Sequence, residues 1–213
     1  MVVKTLIVGP IQTSCYIVSF PPSKDTLIID PGGDAEQIIE YLGDKALQLI
    51  YIINTHGHID HIGANTELKE AYSASQICIH PADASMLTNA PQNLSFELGF
   101  NYISPPADRL IKEGDIINLD THKFVVHHLP GHTPGGICLF YESGVKTEPL
   151  VVFSGDTLFC GGIGRTDFPG GSHQQLIKGI KQKILSLPDD VIVYPGHGPP
   201  TTVGQEKQMN PFF

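Results

Sequence analysis

The chain has 213 residues, 41% of them apolar, and its 13 basic against 22 acidic side chains leave a formal net charge of -9. That size and hydrophobic content suit one globular domain, 1–213, with a core large enough to need no disulfide staples. An acidic chain without a basic run is a poor phosphate neutraliser, which excludes nucleic acid as an expected partner, and no apolar stretch approaches ~18 residues, so neither a membrane span nor a membrane partner is expected.

The opening "MVVKTLIVGPIQTSCYIV" is interrupted by Lys4 and by Gly9-Pro10 and shows no small-residue cleavage site, so it reads as strands rather than an export signal. Cys15, Cys78, Cys138 and Cys160 sit in apolar settings without C-x-x-C spacing, as small reduced hydrophobes do, and a cytoplasmic location is expected. Strands are expected at "VKTLIV", "CYIVSF" and "TLIID", then a helix at "DAEQIIEYLGD" with Ile38, Ile39 and Leu42 on its apolar side. The unbroken apolar run "LQLIYIINT" predicts a strand buried on both faces. A histidine-rich loop, a helix at "GANTELKEAYSA" and a strand at "QICIH" follow.

Residues 81–108 are weakly periodic and predict a helix plus a long excursion, serving as a substrate-side flap or as packing. Four strands come next, "DIINL", "KFVVHHL", "GICLFYE" and "LVVFSGD". The helix "GGSHQQLIKGIKQKILSLP" carries a Ser172/Gln175 capping box and apolar Leu176, Ile177, Ile180, Ile184 and Leu185 on one side. A last strand, "DDVIVYPGHG", precedes a short closing helix. Strands in two batches, each followed by helices, predict an α/β four-layer αββα sandwich of two sheets with helices outside. The four consecutive strands after residue 114 weaken the alternative, a doubly wound parallel sheet.

Imidazoles and carboxylates stand just past these apolar strands, next to glycine: His56, His58, Asp60 and His61 in "NTHGHIDHIG", His132 in "PGHTPGG", Asp156 in "SGD" and His197 in "PGHG". Seven ligands exceed the three that a catalytic zinc takes from protein and suit two metals. His56 and His58, two apart in an extended segment, point the same way and chelate one ion with His132. Asp60 and His61 turn to a second ion completed by His197, and Asp156 bridges. Two ions about 3.5–4 Å apart can hold a hydroxide between them as nucleophile.

The pattern His56-x-His58-x-Asp60-His61, then His132, Asp156 and His197, resembles the metallo-β-lactamase superfamily over essentially the whole chain. "PGHTPGG", "GDTLFCGGIGRTDF" and "PGHG" are similar to the glyoxalase II-like (hydroxyacylglutathione hydrolase-like) hydrolases, in particular to short members without the helical C-terminal domain that grips glutathione. The resemblance implies two mixed sheets and a dinuclear thioester hydrolase acting on S-lactoylglutathione and simpler small-molecule thioesters. It also implies two divalent metal ions, zinc first, with iron or manganese as the other choices. Asp60 is the expected catalytic residue, orienting the hydroxide while ligating. The same motifs occur in persulfide dioxygenases, in which His56, His132 and Asp156 would form the facial triad of a single iron. A metal-bound scaffold without catalysis would be marked by a missing ligand, and none is missing.

His80, His122, His127, His128 and His173 lack the glycine-flanked strand-end setting and are expected to be structural or exposed, with His173 the exception nearest the site. Arg165 either pairs with Asp167 or anchors an anionic substrate group, so Arg165 and His173 are the expected substrate contacts. Asp30 in "IIDPGG" is either a turn former or a partner that orients a ligand histidine.

Overall fold

The structure, a computed structural model, describes residues 1–142 and 150–213. These fall into two compact units, Met1–Ile111 and Lys112–Phe213.

The first unit begins with an antiparallel meander, β1 (Val2–Val8), β2 (Thr13–Ser19) and β3 (Asp25–Ile29). Helix α1 (Ala35–Asp44) then crosses to β4 (Gln48–Ile53), parallel to β3. The one-turn helix α2 (Ile59–Ile62) and α3 (Asn65–Ala71) lead to parallel strands β5 (Gln76–Ile79) and β6 (Arg109–Leu110), so the mixed sheet runs β1-β2-β3-β4-β5-β6. Apolar residues of α1 and α3 explain why these segments settle on the sheet. Ile38, Leu42 and Leu68 are fully buried in one cluster with Cys15, Ile17, Ile28, Ile52 and Ile77, and each large aliphatic side chain so buried contributes roughly 1.5–3 kcal/mol. Cys15 and Cys78 belong to this apolar interior as free thiols. Burial and the nearby Asp30 charge push the Cys15 thiol up, and burial pushes that of Cys78 up to about 12, so both stay protonated.

In β4 the register jumps from Thr26↔Leu49 to Leu27↔Tyr51. Ile50 is therefore an extra residue, and it inverts the side-chain parity of everything after it, including the entry to the histidine loop. The expected helix within 81–108 is only a 3₁₀ turn, Ala84–Thr88; the rest is a chain of turns held by its own side chains.

The second unit carries β7 (Ile116–Leu119), β8 (His122–His128), β9 (Ile137–Tyr141) and β10 (Val151–Gly155) as successive antiparallel neighbours. A small hairpin, β11 (Leu158–Phe159) with β12 (Gly162–Ile163), precedes α4 (His173–Gly179). The chain closes with β13 (Ile192–Pro195), parallel to β10, then β14 (Thr201–Thr202) and α5 (Val203–Met209). Ser172 caps α4, its Oγ accepting from Gln175 N at 3.4 Å. The helix does not run on as α through residue 188. It widens into a π turn at Ile180–Ile184, closed by Leu185 N donating to Ile180 O at 2.9 Å, which keeps Leu176, Ile180 and Ile184 buried together. No helix among the described residues is long and apolar enough to cross a membrane.

Candidate metal centre

In the first unit the expected ligand residues gather at the C-terminal ends of the parallel strands β3 and β4, the usual place for sites in such sheets. Asp30, just past β3, takes a left-handed backbone (φ 53), which aspartate tolerates better than most residues. The turn aims its buried carboxylate at the loop after β4. Oδ1 accepts from Thr55 N and Oδ2 from Thr55 Oγ1, each at 2.7 Å, and Oδ2 also lies 3.0 Å from His61 Nδ1. Thr55 Oγ1 stands 3.2 Å from His56 Nδ1. The single hydroxyl proton goes to Asp30, so the hydroxyl accepts from His56. Both histidines thereby keep their proton on Nδ1 and present Nε2 as a lone pair, the arrangement that suits metal-binding imidazoles. Asp30 is thus both turn former and orienting partner.

The chain bends at residues 55–56, and His58 is extended (φ -70, ψ 150) just before α2. The single turn of α2 carries Asp60 and His61. The rings converge: His56 is 4.7 Å from His58 and 4.1 Å from His61, centroid to centroid. Asp60 Oδ2 lies 3.5 Å from His61 Nε2. That is long for a hydrogen bond. It matches the ~3.4 Å between two atoms bound tetrahedrally to one ion at about 2.1 Å.

Two asparagines unremarked in the sequence hold α2 in place. Asn54 Nδ2 donates to His61 O at 3.1 Å, and Asn65 Nδ2 donates to Asn54 Oδ1 at 2.9 Å and to Ser104 Oγ at 3.1 Å. The available hint was position: Asn54 ends an apolar strand, where a buried amide must find partners. Gly32 admits α2 closely, because a Cβ there would sit 1.6 Å from Asp60 O.

In the second unit β8, β10 and β13 run in one direction, so His132, Asp156 and His197 emerge at one edge of the sheet. His132 Nδ1 donates to Arg165 O at 2.8 Å, leaving Nε2 as the donor atom. Asp156 then faces two imidazoles: Oδ2 is 3.6 Å from His132 Nε2 and Oδ1 is 3.6 Å from His197 Nε2. A Cβ on Gly164 would meet Asp156 O at 1.8 Å, so in each unit the backbone of the candidate aspartate is seated against a glycine. The β11–β12 hairpin sets Phe159 edge-on to His197, ring centroids 6.2 Å apart. Buried Glu206 of α5 steadies that hairpin by accepting from Gly161 N at 3.0 Å, and Asn210 Nδ2 donates to Gly162 O at 3.1 Å. Neither residue carried a signal in the sequence.

Arg165 forms an exposed, two-pronged ion pair with Asp167 (3.0 and 2.8 Å) and lies 4.3 Å over the Phe168 ring. Hydrogen bonding and charge from Arg165 hold the Asp167 carboxyl below its ordinary range. His173 is the exposed first residue of α4, 6.5 Å from the ring of Phe212. The other histidines have structural neighbours: His122 Nδ1 lies 3.0 Å from Tyr141 Oη, His128 Nε2 is 2.9 Å from Pro134 O, and His127 packs on Phe140 at 4.1 Å. Each unit therefore assembles imidazole nitrogens and one carboxylate without thiolate, a donor set that fits zinc, iron or manganese.

Residues 8–197 match the metallo-beta-lactamase superfamily, and the chain belongs to it; it is a metallo-hydrolase with the fold expected from the sequence. Among its relatives, hydroxyacylglutathione hydrolase GloC of Haemophilus influenzae is 39% identical over 215 residues, covering 100% of this chain and 98% of that one. The crystal structure of BLEG-1 B3 metallo-beta-lactamase is 40% identical, with TM-score 0.91 and 99% of each chain covered. A structure of TTHA1623 in a di-iron-bound form is 33% identical with TM-score 0.83, covering 99% of this chain and 100% of that one.

Proposed function

We propose that the two ligand arms together hold a pair of divalent metal ions and that the protein hydrolyses thioesters, S-lactoylglutathione among them. In this reading His56, His58 and His132 take one ion, Asp60, His61 and His197 take the other, and Asp156 touches both. The observation that carries it is Asp156, each of whose oxygens stands 3.6 Å from a different imidazole, as a bridging carboxylate requires. When bound, the ions would supply Lewis acidity and a water able to ionise near neutral pH.

The chain's own groups do the rest. Asp30 and Thr55 keep the imidazole lone pairs aimed, so little reorganisation is needed. Asp60, 18% exposed at its side chain, orients the attacking water. A thiol of pKa near 8.5 leaves as thiolate, so the reaction needs no protein acid at the leaving group. Arg165 would exchange Asp167 for a substrate carboxylate, with His173 beside the same loop.

The name of the Haemophilus relative favours a thioester, while that of BLEG-1 favours a β-lactam. Metal analysis of purified protein, followed by assays on S-lactoylglutathione and a chromogenic cephalosporin, separates the readings. Two equivalents of metal and thioester turnover are expected. Cephalosporin turnover alone would move the assignment to β-lactams. A single iron with oxygen uptake on glutathione persulfide would make it a dioxygenase.

A further inference from the structure

The segment spanning residues 93–104 has two ends of opposite character. Its base is fastened to the helices that carry and follow the ligands. Asn93 O accepts from Ile59 N at 2.8 Å, Tyr102 Oη donates to Ile62 O at 2.9 Å, and Ser104 Oγ accepts from Asn65. Its tip is apolar and half in water, with Leu98 52% and Phe100 49% exposed. Facing the tip is the β1–β2 turn, which presents Ile11, 45% exposed. Between them opens a cavity of about 160 Å³ walled by Ile11, Leu98, Phe100 and Tyr102 and reaching Asp60.

An anchored base and an uncovered apolar tip beside a reactive carboxylate suit a binding wall better than mere packing, since exposed apolar clusters of this kind mark ligand grooves. An apolar cavity of about 150 Å³ holds a benzene ring, so this one accepts a group of roughly six carbons. Among its described lining residues Asp60 alone is charged. That disfavours the carboxylates of a thiol such as glutathione and favours an uncharged chain.

We propose that this cavity receives the aliphatic acyl chain of the substrate, with Leu98 and Phe100 determining specificity for chains of about four to six carbons. The proposal rests on the reading of Asp60 as part of the reaction centre of a thioester hydrolase.

The test is a series of N-acetylcysteamine thioesters (acetyl, butyryl, hexanoyl) assayed with the metal-loaded full chain, beside titrations of S-alkyl thioethers from methyl to hexyl that cannot be hydrolysed. A fully buried methylene is worth roughly fourfold in affinity. With one side of the cavity open, both series are expected to strengthen by about tenfold or more from shortest to longest. In Leu98→Asp and Phe100→Ala the long-to-short ratio should fall toward one. Both side chains are half exposed, so these variants are expected to fold. A flat thioether series with acetyl hydrolysis retained overturns the cavity proposal and leaves the hydrolase standing. A steep thioether series with no thioester turned over overturns the hydrolase and keeps an apolar ligand site. If Leu98→Asp instead changes the sedimentation of the protein and leaves the series as it was, the tip serves self-association and the proposal falls.

Discussion

Asp30 shows how much a single carboxylate can organise. It touches His61 directly and reaches His56 through the Thr55 hydroxyl, so two donor atoms owe their orientation to one side chain. Partners of this kind typically account for 10- to 100-fold in metal affinity. Asp30→Asn should therefore weaken metal binding by roughly that factor, with Thr55→Val losing less because only the His56 branch breaks. Competition against a chromophoric chelator measures both, and an Asp30→Asn protein that holds metal like the parent would refute the role. Asp30 was visible in the sequence as a candidate because "IIDPGG" puts an acid in a turn after an apolar strand. Asn54 and Asn65 were not. Their partners are one another, Ser104 and the carbonyl of His61, and such pairings are set by packing across up to 39 positions rather than by any local spacing.

Strands and helices with strong periodicity stand where the sequence put them, since a continuous apolar run or a 3.6-residue stripe has one way to bury itself. The exceptions are short. Strands β6, β11, β12 and β14 have two residues each, too few to show a period, and they exist because a neighbouring edge offers them hydrogen bonds. The turn of α2 lies inside a motif whose histidines suggest a loop. The end of the 81–108 segment is pinned to β5 by Asp108, whose Oδ2 accepts from Ile77 N at 2.8 Å and from Lys69 Nζ at 2.9 Å. Burial alone would raise the Asp108 carboxyl, but these two donors hold it below its ordinary 3.8. A depressed acid stabilises the fold above that ordinary value and loses its contribution as pH falls through the lower, folded one. Stability plotted against pH should thus fall less steeply on the acid side in Asp108→Asn than in the parent. Thermal melts between about pH 2.5 and 5 test this, and equal slopes would remove Asp108 from the account.

At the scale of the whole chain, each unit carries part of the proposed ligand set: three imidazoles and a carboxylate before residue 112, two imidazoles and a carboxylate after it. If the two sets share their ions as proposed, metal links the stability of both units. Chelation should then lower a single Tm, by roughly 5–10 °C if the ions contribute on the order of 3 kcal/mol. Differential scanning calorimetry with and without chelator decides the point; a melting profile indifferent to metal would count against shared ions.

The contact between α5 and the β11–β12 hairpin has a mechanical side. Glu206 and Asn210 grip the hairpin at Gly161 and Gly162, and Phe159 at the hairpin's first strand leans on His197. The last helix is thus the far arm of a lever whose near arm rests on a proposed ligand. A load on that helix, such as a bulky fusion joined after Phe213 or a protease trimming the tail, would be felt at His197 some distance from where it was applied.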